Sequence, residues 1–131
     1  MYTVRVTADF SAAHFLSSYH GKCEQLHGHN YQVRLWAQGS ELGEGGMLVD
    51  FALLKGALRQ VCMTLDHTNL NDNALFADNP SAECIAHFIF DEVSKLLCPE
   101  VAELLSAVDV FETPGSMARY ENEKTVTRQT P

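Results

Sequence analysis

Cys23-Glu24-Gln25-Leu26-His27-Gly28-His29-Asn30-Tyr31 sets a thiol ahead of two imidazoles spaced i, i+2, at the point where the chain enters an alternating apolar stretch, Tyr31, Val33, Leu35 and Ala37. Alternation at period two predicts a β-strand, on which residues two apart share a face, so His27 and His29 converge. The preceding stretch alternates too, with Tyr2, Val4, Val6 and Ala8 on one side and Thr3, Arg5 and Thr7 on the other, and it closes through Ser11-Ala12-Ala13 at His14. Paired as neighbouring antiparallel strands, the two stretches bring three histidines to one end of a hairpin. Neutral imidazole is the commonest protein ligand for zinc, and three protein ligands with an open fourth position mark a catalytic rather than a structural site.

Downstream, Gly39, Gly43, Gly45 and Gly46 predict a turn, after which the spacing changes. Leu54, Leu58, Val61 and Leu65 form one stripe of an amphipathic helix with Asp50 as its N-cap. A polar loop from Thr68 to Asn79 ends at Pro80. A second helix is predicted from Ser81 to Cys98, with Ile85, Ile89, Val93, Leu96 and Leu97 inward and Pro99 stopping it. Ala107 to Phe111 and Met117 to Tyr120 predict a closing pair of strands around Pro114-Gly115, and a polar tail begins at Glu121. The order ββααββ predicts an α+β fold, a four-stranded antiparallel sheet with two helices on one face. The expected boundaries are a single domain over residues 1–120 and a tail over 121–131. Such a sheet leaves two edges to cover, which makes oligomerisation plausible.

The chain has 131 residues, enough for one domain with a buried core. Nine Lys and Arg against seventeen Asp and Glu give a net charge of −8, which disfavours nucleic acid or an anionic membrane as partner. An anionic small substrate therefore needs a locally basic pocket, for which Lys22, Lys55, Arg59 and Arg119 are the candidates. Cys23, Cys62, Cys84 and Cys98 are widely spaced, and with no signal-peptide pattern at the start they read as reduced thiols of a cytoplasmic protein. No apolar run approaches the roughly 20 residues that cross a bilayer.

His14, Cys23-x-x-x-His27-Gly28-His29-Asn30-Tyr31, Val49-Asp50-Phe51-x-x-Leu54-Lys55, Leu65-Asp66-His67, Pro80-Ser81-Ala82-Glu83 and Glu112-Thr113 occur in that order. The series resembles the 6-pyruvoyl-tetrahydropterin synthase family over residues 4 to 120. The three-residue gap between Cys23 and His27 resembles the bacterial 6-carboxy-tetrahydropterin synthase branch. The resemblance implies the tunnelling fold (T-fold), in which subunits join edge to edge into trimeric barrels and two trimers stack into a hexamer.

It also implies roles. His14, His27 and His29 would hold Zn2+. Cys23 has two functional readings, a fourth zinc ligand that closes the site or a thiolate base; the family pattern favours the base, and nearby cationic groups would lower its pKa. Glu24 reads as a solvated carboxylate, although some relatives place a glutamate near the catalytic cysteine. Asp66 would orient His67 for proton transfer. Glu112 would anchor a pterin by accepting its two parallel N–H donors, with Thr113 adding a polar contact. His20 and His87 read as unrelated imidazoles. The implied activity is a lyase that converts 7,8-dihydroneopterin triphosphate to 6-carboxy-5,6,7,8-tetrahydropterin, acetaldehyde and triphosphate, a step toward 7-deazaguanine nucleosides such as queuosine. Alternatives are 6-pyruvoyl-tetrahydropterin formation and a non-catalytic zinc- or pterin-binding subunit.

Overall fold

The computed structural model describes residues 1–17, 21 and 25–123, so His20, Lys22, Cys23, Glu24 and the tail from residue 124 lie outside the described residues. Strands β1 (Tyr2–His14) and β2 (His27–Gly39) pair antiparallel in unbroken register from Tyr2 opposite Gly39 to His14 opposite His27. Both run further than the apolar alternation predicts, because the small residues of Ser11-Ala12-Ala13 continue the ladder opposite Asn30, His29 and Gly28. Helix α1 (Phe51–Leu65) begins where expected, the Asp50 carboxylate accepting the Ala52 N–H at 2.8 Å. Strand β3 (Thr68–Asn69) follows, then helix α2 (Ala82–Leu96), capped by the Ser81 hydroxyl, which accepts the Cys84 N–H at 3.2 Å. Helix α3 (Pro99–Ala102), β4 (Leu105–Thr113) and β5 (Ser116–Glu121) complete the order.

The sheet order is β3-β1-β2-β4-β5. The four long strands are antiparallel as expected; the fifth, two-residue strand is an addition, and it runs parallel to β1 at Ala12 and Ala13. Two polar residues carry no periodic signal. Their pairing is set instead by Asp66 and His67, which dock on Ser11 immediately before them.

One face of the sheet is covered, α1 lying on β1 and α2 on β4 and β5. Val6, Phe10, Tyr31, Val33, Leu35, Val108 and Val110 meet Leu54, Leu58, Val61, Leu65, Ile85, Ile89 and Val93 there, none more than 4% exposed. Leu96 departs from the expected inward stripe and is exposed. The helix ends at that residue and Leu97 turns extended, so Leu97 rather than Leu96 caps the core. Pro99 does not merely stop α2; it opens α3 at a first-turn position where its missing N–H goes unmissed. Cys62 is buried in α1, and burial, with Asp9 and Asp66 nearby, pushes its thiol up to about 12, which leaves it inert. Cys84 and Cys98 are exposed free thiols.

On the other face Asp109, 2% exposed, accepts from Arg119 Nε at 2.6 Å and Nη2 at 3.0 Å and from Trp36 Nε1 at 2.7 Å. Full satisfaction by charged and neutral donors is what permits a carboxylate at that depth.

Leu58 is fully buried between α1 and the sheet. Leu58→Ala should cost about 2–5 kcal/mol of unfolding free energy in a denaturant titration. A loss below about 1 kcal/mol would show that this interface does not carry the core.

Candidate metal centre

The β1–β2 register makes His14 and His27 direct partners and puts His29 opposite Ala12, all on the helix-covered face. One ligand nitrogen from each of the three lies within 4.8 Å of the others, the tightest pair being His14 Nε2 and His27 Nε2 at 2.9 Å. Their other nitrogens are committed. His14 Nδ1–H donates to the Pro80 carbonyl at 2.7 Å and His27 Nδ1–H to the Gln25 carbonyl at 2.7 Å. A carbonyl only accepts, so both Nδ1 atoms carry protons, and with both rings neutral the two Nε2 lone pairs face each other. Two lone pairs at that separation repel unless a cation stands between them. His29 Nε2 is buried with no hydrogen-bond partner, and burial lowers its pKa against the opposing pull of Glu112, which favours the neutral, ligating form. A tetrahedral ion with bonds of about 2.0–2.1 Å to nitrogen needs donors about 3.3 Å apart, so the donor set fits a metal. The backbone carbonyls supply the outer contacts that fix tautomer and ring orientation.

Glu112 joins this face. Gln32 pairs with Phe111, so the next residues along, Tyr31 and Glu112, stand side by side. The Glu112 oxygens lie 3.9 Å from His14 Nε2 and 3.6 Å from His29 Nε2.

Asp66 and His67 form a second unit on the edge of β1. Ser11 N–H donates to Asp66 Oδ1 at 2.8 Å, and the His67 N–H donates to Ser11 O at 2.6 Å. The remaining oxygen, Oδ2, stands 2.8 Å from His67 Nδ1, which directs Nε2 outward. His67 holds φ +57°, a left-handed conformation unusual for a residue with a Cβ, and these contacts are what hold it. The Ser11 amide and then His67 hold the Asp66 carboxyl below the usual range. The carboxylate therefore persists above that lowered value, and its contacts are lost only as pH falls through it. His67 is exposed and shares an open groove of about 520 Å³ with Ser11, Gly28, His29 and Asn30. Among the described residues no hydrogen bond or ring contact joins it to the three histidines.

The other expected residues scatter. Thr113 is exposed and lines a cleft with Asn30, Gln32 and Arg34, on the face opposite the histidines. Arg119 is taken by Asp109 and Glu121 on that same opposite face, and Lys55 is exposed on α1. Arg59 lines a groove beside Asp9 and Asp66. His87, as expected, is apart from the site, facing Asp91 at 3.2 Å and stacking on Tyr120. Sequence reasoning missed the supporting contacts from Pro80, Gln25 and Ser11, because all three act through their backbone.

A family model described as 6-pyruvoyl tetrahydropterin synthase matches residues 3–123. The chain belongs to the 6-pyruvoyl tetrahydropterin synthase family. It is 37% identical over 125 residues to the 6-carboxy-5,6,7,8-tetrahydropterin synthase of Synechocystis, covering 92% of this chain and 93% of that protein. It is 38% identical over 105 residues to the 6-pyruvoyl tetrahydrobiopterin synthase of Drosophila melanogaster, covering 76% of this chain and 61% of the relative. The solved 6-pyruvoyl tetrahydropterin synthase of Caenorhabditis elegans superimposes with a TM-score of 0.83 at 28% identity, covering 93% of this chain and 96% of that one. Membership gives the tunnelling fold and a pterin synthase function of the lyase class. The family binds a metal, and His14, His27 and His29 are the cluster here that could hold one. No helix among the described residues of this family member is long and apolar enough to cross a membrane.

Purified protein should carry about one divalent metal ion per chain by elemental analysis. Changing His14, His27 and His29 together to Ala should abolish it, and an unchanged metal content would refute the centre.

Proposed function

We propose that the chain is a zinc-dependent 6-carboxy-5,6,7,8-tetrahydropterin synthase, taking 7,8-dihydroneopterin triphosphate and water to 6-carboxy-5,6,7,8-tetrahydropterin, acetaldehyde and triphosphate. The observation that carries this reading is the convergence of three imidazoles with the Glu112 carboxylate less than 4 Å from two of them. Zinc at His14, His27 and His29 would supply Lewis acidity, stabilising negative charge on the substrate side-chain oxygens as the adjacent carbon is deprotonated. Glu112 accepts the paired N–H donors of the pterin ring, which fixes the side chain relative to the histidines. Asp66 keeps His67 in the tautomer whose outward Nε2 delivers or removes a proton. Cys23, as thiolate, takes the other proton. The sites are completed in a homohexamer built as a dimer of trimers, in the cytoplasm, in the branch leading to 7-deazaguanine nucleosides.

Two things support the carboxy branch: the three-residue spacing from Cys23 to His27, and the Synechocystis relative's near-full coverage. The Drosophila relative, at similar identity, favours the second reading, 6-pyruvoyl-tetrahydropterin formation without side-chain cleavage.

Incubation with 7,8-dihydroneopterin triphosphate separates the two. Acetaldehyde, trapped by alcohol dehydrogenase with reduced nicotinamide cofactor, should appear in step with 6-carboxy-tetrahydropterin. Triphosphate release with 6-pyruvoyl-tetrahydropterin and no acetaldehyde would establish the second reading. No turnover by the metal-loaded protein would leave only a binding subunit.

A further inference from the structure

Two buried side-chain polar atoms among the described residues have no hydrogen-bond partner, His29 Nε2 and the Tyr31 hydroxyl oxygen. They belong to residues two apart on β2 and so to one face of the sheet. A metal at the three histidines answers the first. The second is unexplained by packing. Tyr31 is fully buried and its ring stacks on Phe10 with centroids 4.7 Å apart, a contact that a phenylalanine would make equally well. A buried hydroxyl without an acceptor is worse than no hydroxyl, so this oxygen implies a partner.

We infer that the Tyr31 hydroxyl is a positioning donor for the Glu112 carboxylate. The candidate acceptors around the ring are few. His14 and His29 flank it edge-on at 5.9 and 5.4 Å, but His14 Nδ1–H is committed to the Pro80 carbonyl, and the Nε2 atoms of both rings stand within 3.9 Å of the Glu112 carboxylate. Glu112 is the cross-strand neighbour on β4, and its oxygens lie 3.9 and 3.6 Å from the Nε2 atoms of the two imidazoles that flank the Tyr31 ring. The two groups make no direct hydrogen bond here, and one ordered water between them would transmit the same orientation. A donor behind the carboxylate fixes its plane, so that both oxygens meet the paired donors of a pterin. The inference thus rests on Glu112 being the pterin anchor.

Tyr31→Phe removes the oxygen and keeps the shape. The variant should retain its metal, yet bind neopterin about tenfold more weakly by fluorescence titration, in both metal-loaded and metal-stripped protein. KM should rise more than kcat falls. Added to Glu112→Gln, which should itself weaken binding, Tyr31→Phe should change nothing further, because the donor has lost its charged target. Additive effects, or unchanged neopterin binding by Tyr31→Phe while Glu112→Gln weakens it, would overturn the inference alone. Unchanged binding by Glu112→Gln would overturn the anchor and this inference together. Carboxylate infrared bands of Glu112, assigned by difference against Glu112→Gln, give a readout independent of affinity: Tyr31→Phe should shift them, and identical bands contradict the contact.

Discussion

Two imidazole nitrogens with lone pairs facing at 2.9 Å are the constraint on which the site depends. Nothing in the side chains themselves favours that approach. It is imposed by the β1–β2 register, in which thirteen consecutive pairs end with His14 opposite His27, and by two carbonyls that commit the far side of each ring. Shifting the register by one residue would turn His27 and His29 to the opposite face and bring Gly28 inward. The apolar residues further along the same strand, Tyr31, Val33 and Leu35, prevent such a slip because they would leave the core with it. The hydrophobic core and the metal centre are thus two ends of one register, with Tyr31 at the junction.

The same sheet edge serves a second purpose. Ser11 sits in β1 three residues before His14, and its backbone holds Asp66 and His67 through both its N–H and its carbonyl. The left-handed backbone at His67 is tolerated because it is clamped at both the amide and the ring. The imidazole of this pair is left exposed, while His14 is buried at 2%. That contrast suits a proton carrier in one case and a ligand in the other.

Much of this was legible in the sequence because it follows from period. Alternation predicted β1 and β2, their pairing placed the three histidines together, and the leucine spacing of α1 and Asp50 as its cap were read correctly. What escaped was written in the backbone or in single residues. Strand β3 is two polar residues and exists only because Asp66 and His67 dock first. Leu96 fits the helical stripe, but the helix ends before it can turn inward. Arg119 read as a free cation because its partner, Asp109, is ten residues away on the neighbouring strand, and pairing of that kind is visible only once β4 and β5 are aligned. Glu112 was placed in the site by resemblance, and its approach to His14 and His29 follows from the β2–β4 register rather than from spacing within β4. Cys23, the residue on which the choice between an open and a closed centre turns, lies outside the described residues.

That choice is open to one direct measurement, X-ray absorption at the zinc edge of the metal-loaded protein. An open centre predicts three imidazole nitrogens and one further nitrogen or oxygen at about 2.0–2.1 Å, with no heavier scatterer. A sulfur shell at about 2.3 Å would mean that Cys23 closes the centre as a ligand and cannot serve as its base.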